Sequence, residues 1–89
     1  MKKLYRFHWY MGRQGDVMGT FVAEEEAVKA AIGKLVYFGE ILGKHSDVHG
    51  TLSEKDLTVL TDDQDFIAKC AKYGLAGTGY NPLDYMERD

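Results

Sequence analysis

The sequence predicts one small α+β domain, in which an antiparallel sheet of about five strands packs two helices on one face. Several segments alternate in polarity or are rich in β-branched and aromatic residues, and two others have apolar residues at helical spacing. Each helical segment has a single apolar face, which a sheet can cover. A chain of 89 residues is sufficient for one domain. We assign residues 1–75 to it, and residues 76–89 to a C-terminal loop or tail docked on the domain or on a partner.

The first half of the chain predicts a hairpin followed by a helix. Residues 4–11 alternate between aromatic and polar positions, and residues 17–22 form the returning strand after a glycine-rich turn. Three glutamates at residues 24–26 favour a helix start, because carboxylates complement the positive end of the helix dipole. This helix is expected to end near Gly33.

The second half predicts three further strands and a second helix. Residues 36–42 are apolar and aromatic, which indicates a strand in the middle of the sheet, and residues 48–52 and 57–60 are expected to form a second hairpin. Thr61 and Gln64 have the capping-box spacing before a helix that ends near Gly74. The predicted order is therefore β-β-α-β-β-β-α.

Composition and charge narrow the function classes. The single cysteine, Cys70, cannot form an internal disulfide, which favours a cytoplasmic location. No apolar run approaches the roughly 20 residues of a membrane-spanning helix, so no membrane association is expected. The net charge of −3 argues against direct sequence-specific binding of nucleic acid. Cationic residues nevertheless concentrate before Asp16, so one end of the fold is expected to attract anions.

The leading candidate site combines the first strand with two glycine-bounded turns. Arg6, His8 and Tyr10 alternate along the strand and are expected to point outward, about 7 Å apart, where they suit a phosphate or a carboxylate. The alternatives are an ordinary solvated sheet face and ordinary turns. A phosphate-binding loop of the nucleoside-triphosphatase kind is rejected, because Gly39 and Gly43 enclose three residues instead of four. The predicted ligand-binding residues are Arg6, His8, Tyr10, Arg13, Lys44, His45 and Ser46.

The signals for metal binding and for catalysis in the sequence are weaker than those for anion binding. His45, Asp47 and His49 alternate and would share a strand face, but a closed metal site needs a fourth ligand. Residues 49–51 match half of a paired phosphoesterase signature whose second half is absent. Cys70 lies on an apolar helix face and is expected in the core. We therefore predict no metal, no cofactor and no catalytic residue, with a small hydrolase that uses His45 and His49 as the alternative.

Three segments resemble small proteins encoded by tailed phages and prophages. They are Leu4-Tyr5-Arg6-Phe7-His8-Trp9, the Gly12-Arg13-x-Gly15 turn, and the run from Val36 to Ser46. The resemblance covers about the first two-thirds of the chain. Small acidic phage proteins of this length often bind and block host factors, including defence nucleases and the nucleotide signals that activate defence. The resemblance therefore implies an anti-defence inhibitor acting in the host cytoplasm.

Two binding functions follow from these observations. The leading hypothesis is a non-catalytic protein that captures an anionic, nucleotide-like ligand, either free or carried on a host protein. The alternative is a protein–protein inhibitor of a host defence nuclease, similar to anti-CRISPR proteins, in which acidic side chains imitate nucleic-acid charge. Oligomeric state stays open, although a domain of this size often forms its pocket between two copies. The acidic candidates are Glu24, Glu25, Glu26, Asp62 and Asp63.

Overall fold

The computed structural model describes residues 1–43 and 47–86, which contain six strands and two α-helices. The α+β class, with two helices and antiparallel pairing, is confirmed. Within the described ranges, every helix is too short or too polar to cross a membrane. In chain order the elements are β1 (Lys2–Tyr10), β2 (Asp16–Glu24), α1 (Glu25–Ala31), β3 (Leu35–Gly39), β4 (Val48–Thr51), β5 (Leu57–Thr61), α2 (Gln64–Lys72) and β6 (Gly77–Gly79), with 3₁₀ turns at Gly12–Gln14, Glu54–Asp56 and Pro82–Tyr85.

The hairpin of β1 and β2 is the centre of the larger sheet. Its register runs from Lys2 opposite Glu24 to Tyr10 opposite Asp16, without a bulge. Gly15 closes the turn with a φ of 109°, a conformation that side chains other than glycine rarely adopt. The predicted hairpin is therefore present; β1 begins two residues earlier and ends one residue earlier than expected, and β2 extends beyond both of its expected limits.

The strands divide into two sheets instead of the single five-stranded sheet expected from the sequence. The main sheet has the order β5-β1-β2-β6, and β3 pairs with β4 in a separate two-stranded sheet. The predicted hairpin of residues 48–52 and 57–60 is wrong, because β5 pairs with β1. Reciprocal hydrogen bonds between Ser53 and Asp56 close the 3₁₀ turn that carries the chain from one sheet to the other.

The core lies between one face of the main sheet, α1 and the small sheet. Alternation along β1 buries Tyr5, Phe7 and Trp9. The ring of Phe7 lies 5.1 Å from that of Trp9 and 5.8 Å from that of Phe38, measured between centroids. Full burial of one such side chain stabilises a fold by about 1.5–3 kcal/mol, so this aromatic cluster dominates the packing. The core of buried residues around these rings also contains Val17, Phe21, Val28, Ala31, Val36, Val48 and Leu52.

The two helices lie on opposite faces of the main sheet, whereas the sequence predicted one shared face. The buried side chains of α2, Ile67 and Cys70, lie outside the core cluster. Ile67 instead lines a cleft together with Val22. Because Val22 follows the buried Phe21 along β2, its side chain points to the other face. Val22 pairs with Leu4, and these two apolar residues need the cover that α2 supplies.

The start of α2 is capped by Asp63 instead of the predicted Thr61. The Asp63 carboxylate accepts hydrogen bonds from the backbone N–H groups of Asp65 and Phe66, at 3.0 and 3.3 Å. The Thr61 hydroxyl accepts from the backbone N–H of Asp63, at 3.1 Å. An aspartate at the first cap position is as effective as threonine or better, so the cap moves two residues along the chain.

The segment from Gly77 to Met86 is integrated into the fold. β6 extends the main sheet by pairing with β2, while Met86 forms a bridge with Val36 of the small sheet. Between these points the rings of Tyr80 and Tyr85 lie 5.7 and 4.7 Å from that of Phe38, centroid to centroid. The segment therefore joins the two sheets.

Candidate functional site

A row of polar side chains crosses the face of the main sheet that carries α2, next to the part that α2 covers at Leu4 and Val22. Arg6 on β1 lies opposite Thr58 on one side and Thr20 on the other, and Thr20 lies opposite Thr78. Directly paired residues share a sheet face, so these four side chains form one line across four strands. The hydroxyls of Thr20 and Thr78 lie 2.6 Å apart and are hydrogen-bonded. We call this line the Arg6 row.

A shallow depression of about 280 Å³ opens at the Arg6 row. Arg6, Thr20 and Thr78 line it together with Gly19 and Gly79, where only backbone forms the surface. Among residues 1–43 and 47–86, no carboxylate forms an ion pair with Arg6. A guanidinium beside hydroxyl groups can bind a phosphate or a carboxylate through several hydrogen bonds.

His8 and Tyr10 continue the same face towards the hairpin turn. The Nε2 atom of His8 lies 2.8 Å from the Oδ2 atom of Asp16, so this ring nitrogen already has a partner. Tyr10 is 78 % exposed and offers a free ring surface. Arg6 is therefore a cation of β1 without an ion pair among the described residues, Tyr10 provides an exposed aromatic ring, and His8 has a carboxylate neighbour.

A wider cleft of about 530 Å³ lies where the end of β1 meets β4 and the turn Glu54–Asp56. His8 and Tyr10 line one side, and His49 and Lys55 are also part of the lining. Trp9 contributes to the wall, and its ring passes so close to Gly50 that a Cβ there would lie 3.3 Å from the indole. The cleft combines aromatic surface with nitrogen donors, and it is also lined by the Asp56 carboxylate, which accepts a hydrogen bond from the backbone N–H of Ser53 at 2.9 Å.

The remaining predicted site residues do not line either opening or cannot be placed. Arg13 is exposed in the turn Gly12–Gln14, outside the lining of both. Lys44, His45 and Ser46 lie outside the described residues. Of the seven predicted residues, Arg6 therefore lines the depression, and His8 and Tyr10 line the cleft.

Sequence reasoning missed the threonines of the Arg6 row and Lys55. Thr20 had a usable signal, since the position of the hairpin turn alone places it opposite Arg6. Thr58 and Thr78 had none, because each depends on a strand joining the sheet from a distant part of the chain. Lys55 lines the cleft because the turn Glu54–Asp56 carries the chain from β4 of the small sheet to β5 of the main sheet.

The residues considered for a metal site have other contacts where they are described. In the parts of the chain that the structure covers, no group of three or more His, Cys, Asp or Glu side chains is arranged to hold a metal ion. His49 stacks on Tyr37, with ring centroids 6.2 Å apart. A hydrogen bond with Asp47 raises the pKa of Tyr37. His45, the third residue of that motif, lies outside the described residues.

The acidic cluster at the start of α1 is largely neutralised by nearby cations. Glu24 lies 3.1 Å from the N-terminal amine of Met1. Glu25 pairs with Lys3 at 2.8 Å and with Lys29 at 3.0 Å, and hydrogen bonds from these two lysines lower its pKa to about 2. Carboxylates held in local ion pairs are poor imitations of nucleic-acid charge, which weakens Glu24 and Glu25 as candidates for acidic mimicry. The other acidic candidates, Asp62 and Asp63, are exposed, and Asp63 caps α2.

Comparison with known proteins identifies no relative of this chain. No protein family, curated protein or solved structure matches it. The Arg6 row and the adjoining cleft are therefore the features of the molecule that bear on its function.

Proposed function

We propose that the protein is a non-catalytic binding protein that captures an anionic, nucleotide-like ligand at the Arg6 row, on the part of the main sheet's face that α2 leaves uncovered. The observation that carries the proposal is the position of Arg6, in a central strand with Thr20 and Thr58 on either side. The Arg6 guanidinium forms no ion pair within residues 1–43 and 47–86, so an incoming anion displaces no internal carboxylate.

Aromatic surface beside the Arg6 row supports the nucleotide-like character of the ligand. Stacking of a base on an aromatic side chain is worth about 1–3 kcal/mol and tolerates any base. Tyr10 supplies such a surface and lies four residues beyond Arg6 on the same strand face. At about 3.3 Å per residue, the two side chains stand about 13 Å apart. A dinucleotide-sized ligand covers that distance better than a mononucleotide does.

The biological context of the proposal is interference with host defence. Its support is the resemblance of residues 4–9 and 36–46 to small tailed-phage proteins. A protein that holds a nucleotide signal without converting it acts by stoichiometric capture, which needs affinity and no catalytic group. Arg6 and Tyr10 supply the contacts that such capture requires.

Calorimetric titration with ADP, cyclic AMP and a cyclic dinucleotide tests this function. We expect the cyclic dinucleotide to bind most tightly, and affinity to fall between low and physiological salt because charge contacts are screened. Arg6→Ala is expected to weaken binding about 10- to 100-fold, the effect of losing a charged hydrogen-bonding partner worth about 1.5–3 kcal/mol.

The matched control is Lys34→Ala, which removes an exposed cation from the turn before β3, outside both openings. This variant should bind like the wild-type protein. Absence of binding by the wild-type protein to all three nucleotides would remove the proposal. Equal weakening by both substitutions would reduce it to nonspecific attraction between charges.

A further inference from the structure

We propose that the groove between α1 and β5 binds a small, uncharged amphiphile, which has an apolar body and one hydrogen-bond acceptor. The groove has a volume of about 500 Å³, within the usual size range of ligand pockets. It lies on the face of the main sheet that carries α1, opposite to the Arg6 row, so it is separate from the proposed anion site. Its apolar lining residues are Tyr5, Val28, Ile32, Leu57 and Val59.

The apolar surface of the groove is present because α1 does not extend over β5. α1 has seven residues, and its Val28 is only 5 % exposed because it packs into the core. Val59 of β5 lies opposite Tyr5 and therefore shares the same sheet face, yet it is 50 % exposed. Aliphatic side chains beside the core are thus left in contact with water, and an apolar ligand would bury them.

The hydroxyl of Tyr5 is the hydrogen-bonding group that the groove offers. Tyr5 is 4 % exposed, and within the described residues its hydroxyl has no hydrogen-bond partner. In the same part of the chain no polar side-chain atom is sealed inside without a partner, so this hydroxyl reaches the groove surface. Burial raises the pKa of Tyr5, so the hydroxyl keeps its proton and can donate it to a ligand.

The charged residues of the groove favour an uncharged ligand. Glu25 pairs with Lys3 at 2.8 Å and with Lys29 at 3.0 Å. Glu54 is the other charged lining residue, so two lysines and two glutamates give the lining no net charge. A hydrogen bond with Glu25, and more weakly the charge of Asp62, raise the pKa of Lys3, so a ligand carboxylate would meet two carboxylates already near this lysine. Glu54 is exposed, so an ion pair between it and a ligand ammonium would add little.

Charged side chains flank both ends of the groove, which favours a small molecule over a polypeptide. In the register of β5 with β1, Lys3 lies beyond one end of the apolar lining and Glu54 lies beyond the other. The lining residues of the helical side fall within residues 25–32, a length of about 10 Å along a helix axis. A chain that continued in both directions would meet a charged side chain at each end, whereas a molecule the length of octanol fits between them.

NMR titration of the full chain with octanol, octanoate and octylammonium tests the proposal. The three probes share an apolar chain and differ in the charge of the head group. We expect octanol to bind most tightly, with a dissociation constant on the order of 1 mM, and to shift the methyl signals of Val28 and Val59. Absence of these shifts with octanol overturns the proposal. Tighter binding of either charged probe overturns the uncharged class of ligand.

Tyr5→Phe tests the hydroxyl. It should weaken octanol binding about 3- to 10-fold, the effect of losing one hydrogen bond, and it should leave the melting temperature unchanged because the hydroxyl has no partner within the described residues. The matched control is Tyr73→Phe, at a residue that is 66 % exposed and lies outside the groove, which should bind octanol like the wild-type protein. An unchanged affinity of Tyr5→Phe for octanol overturns the role of the hydroxyl.

Val59→Trp tests the location of the site, because the larger side chain fills the groove. This variant should lose octanol binding and keep its circular dichroism spectrum, since Val59 is half exposed. Leu75→Trp, at a residue that is 59 % exposed and lies outside the groove, should retain octanol binding. Octanol binding that survives Val59→Trp overturns the assignment to this groove.

Discussion

Replacing Gly19 with alanine is expected to force β6 away from β2. Gly19 lies opposite Gly79, where the segment that ends in Tyr80 crosses close to β2. A Cβ at residue 19 would overlap the backbone N and O atoms of Tyr80 and would lie 2.7 Å from the carbonyl oxygen of Thr78. Backbone atoms cannot swing aside as the end of a flexible side chain can, so the two strands must separate.

The expected loss in the free energy of unfolding is about 2–3 kcal/mol. Overpacking of this kind costs about 1–3 kcal/mol. Its relief by strand separation gives up the hydrogen bonds from Tyr80 N to Met18 O, at 3.2 Å, and from Val22 N to Ala76 O, at 2.9 Å. Each is worth about 0.5–1.5 kcal/mol net. For a domain of this size the melting temperature should fall by roughly 10–20 °C.

Urea unfolding followed by the fluorescence of Trp9, the only tryptophan, measures this loss. The matched control is Gly77→Ala on β6, where an added Cβ would lie 3.7 Å from the carbonyl oxygen of Thr20, an ordinary contact. This control should stay within about 0.5 kcal/mol of the wild-type stability or rise slightly. Equal stability of Gly19→Ala and the wild-type protein would refute the close approach of β6.

Two further predictions concern the helix starts. Asp63→Ala removes the cap of α2 and should lower the free energy of unfolding by about 1 kcal/mol, whereas Asp62→Ala should change it by less than about 0.5 kcal/mol in the same urea assay. Because the pKa of Glu25 is lowered from 4.5 to about 2, its contribution to stability is complete above pH 4.5 and disappears as the pH falls through about 2. Glu25→Gln should therefore flatten the acid limb of the stability curve, and Glu54→Gln should not. A carboxyl titration midpoint for Glu25 near 4.5 by NMR would contradict its two ion pairs.

The β1–β2 hairpin was predictable because all of its signals are local. Strict alternation separates the buried Phe7 and Trp9 from the exposed Arg6 and Tyr10, and glycines mark the turn. Both helices were predictable for a similar reason, although the exact cap of α2 depended on whether Thr61 or Asp63 reached the first free N–H groups.

The partners of β4 and β5 were not predictable from local pattern. Two short strands joined by a polar link have the appearance of a hairpin, yet the end of β4 is held elsewhere. The backbone of Leu52 accepts from Gly33 N at 2.8 Å and donates to Lys34 O at 3.0 Å. Leu52 is also fully buried in the core. These contacts join residues far apart in the chain, so the composition of the link, residues 53–56, does not predict them.

The candidate site was also predictable only in part. Arg6, His8 and Tyr10 follow from alternation within one strand, and their exposure needs no knowledge of strand order. The Asp16 partner of His8 and the threonine neighbours of Arg6 depend on register, so the local pattern could not indicate the carboxylate beside His8 or the hydroxyls beside Arg6.

The segment from Gly77 to Met86 has a consequence for biogenesis. It follows every other described element in chain order, yet it adds a strand to one sheet and bridges to the other. While the polypeptide emerges from the ribosome, Phe38 lacks its tyrosine neighbours until residues 80–85 are synthesised. The packing around Phe38 is therefore complete only after Tyr80 and Tyr85 have left the ribosome exit tunnel.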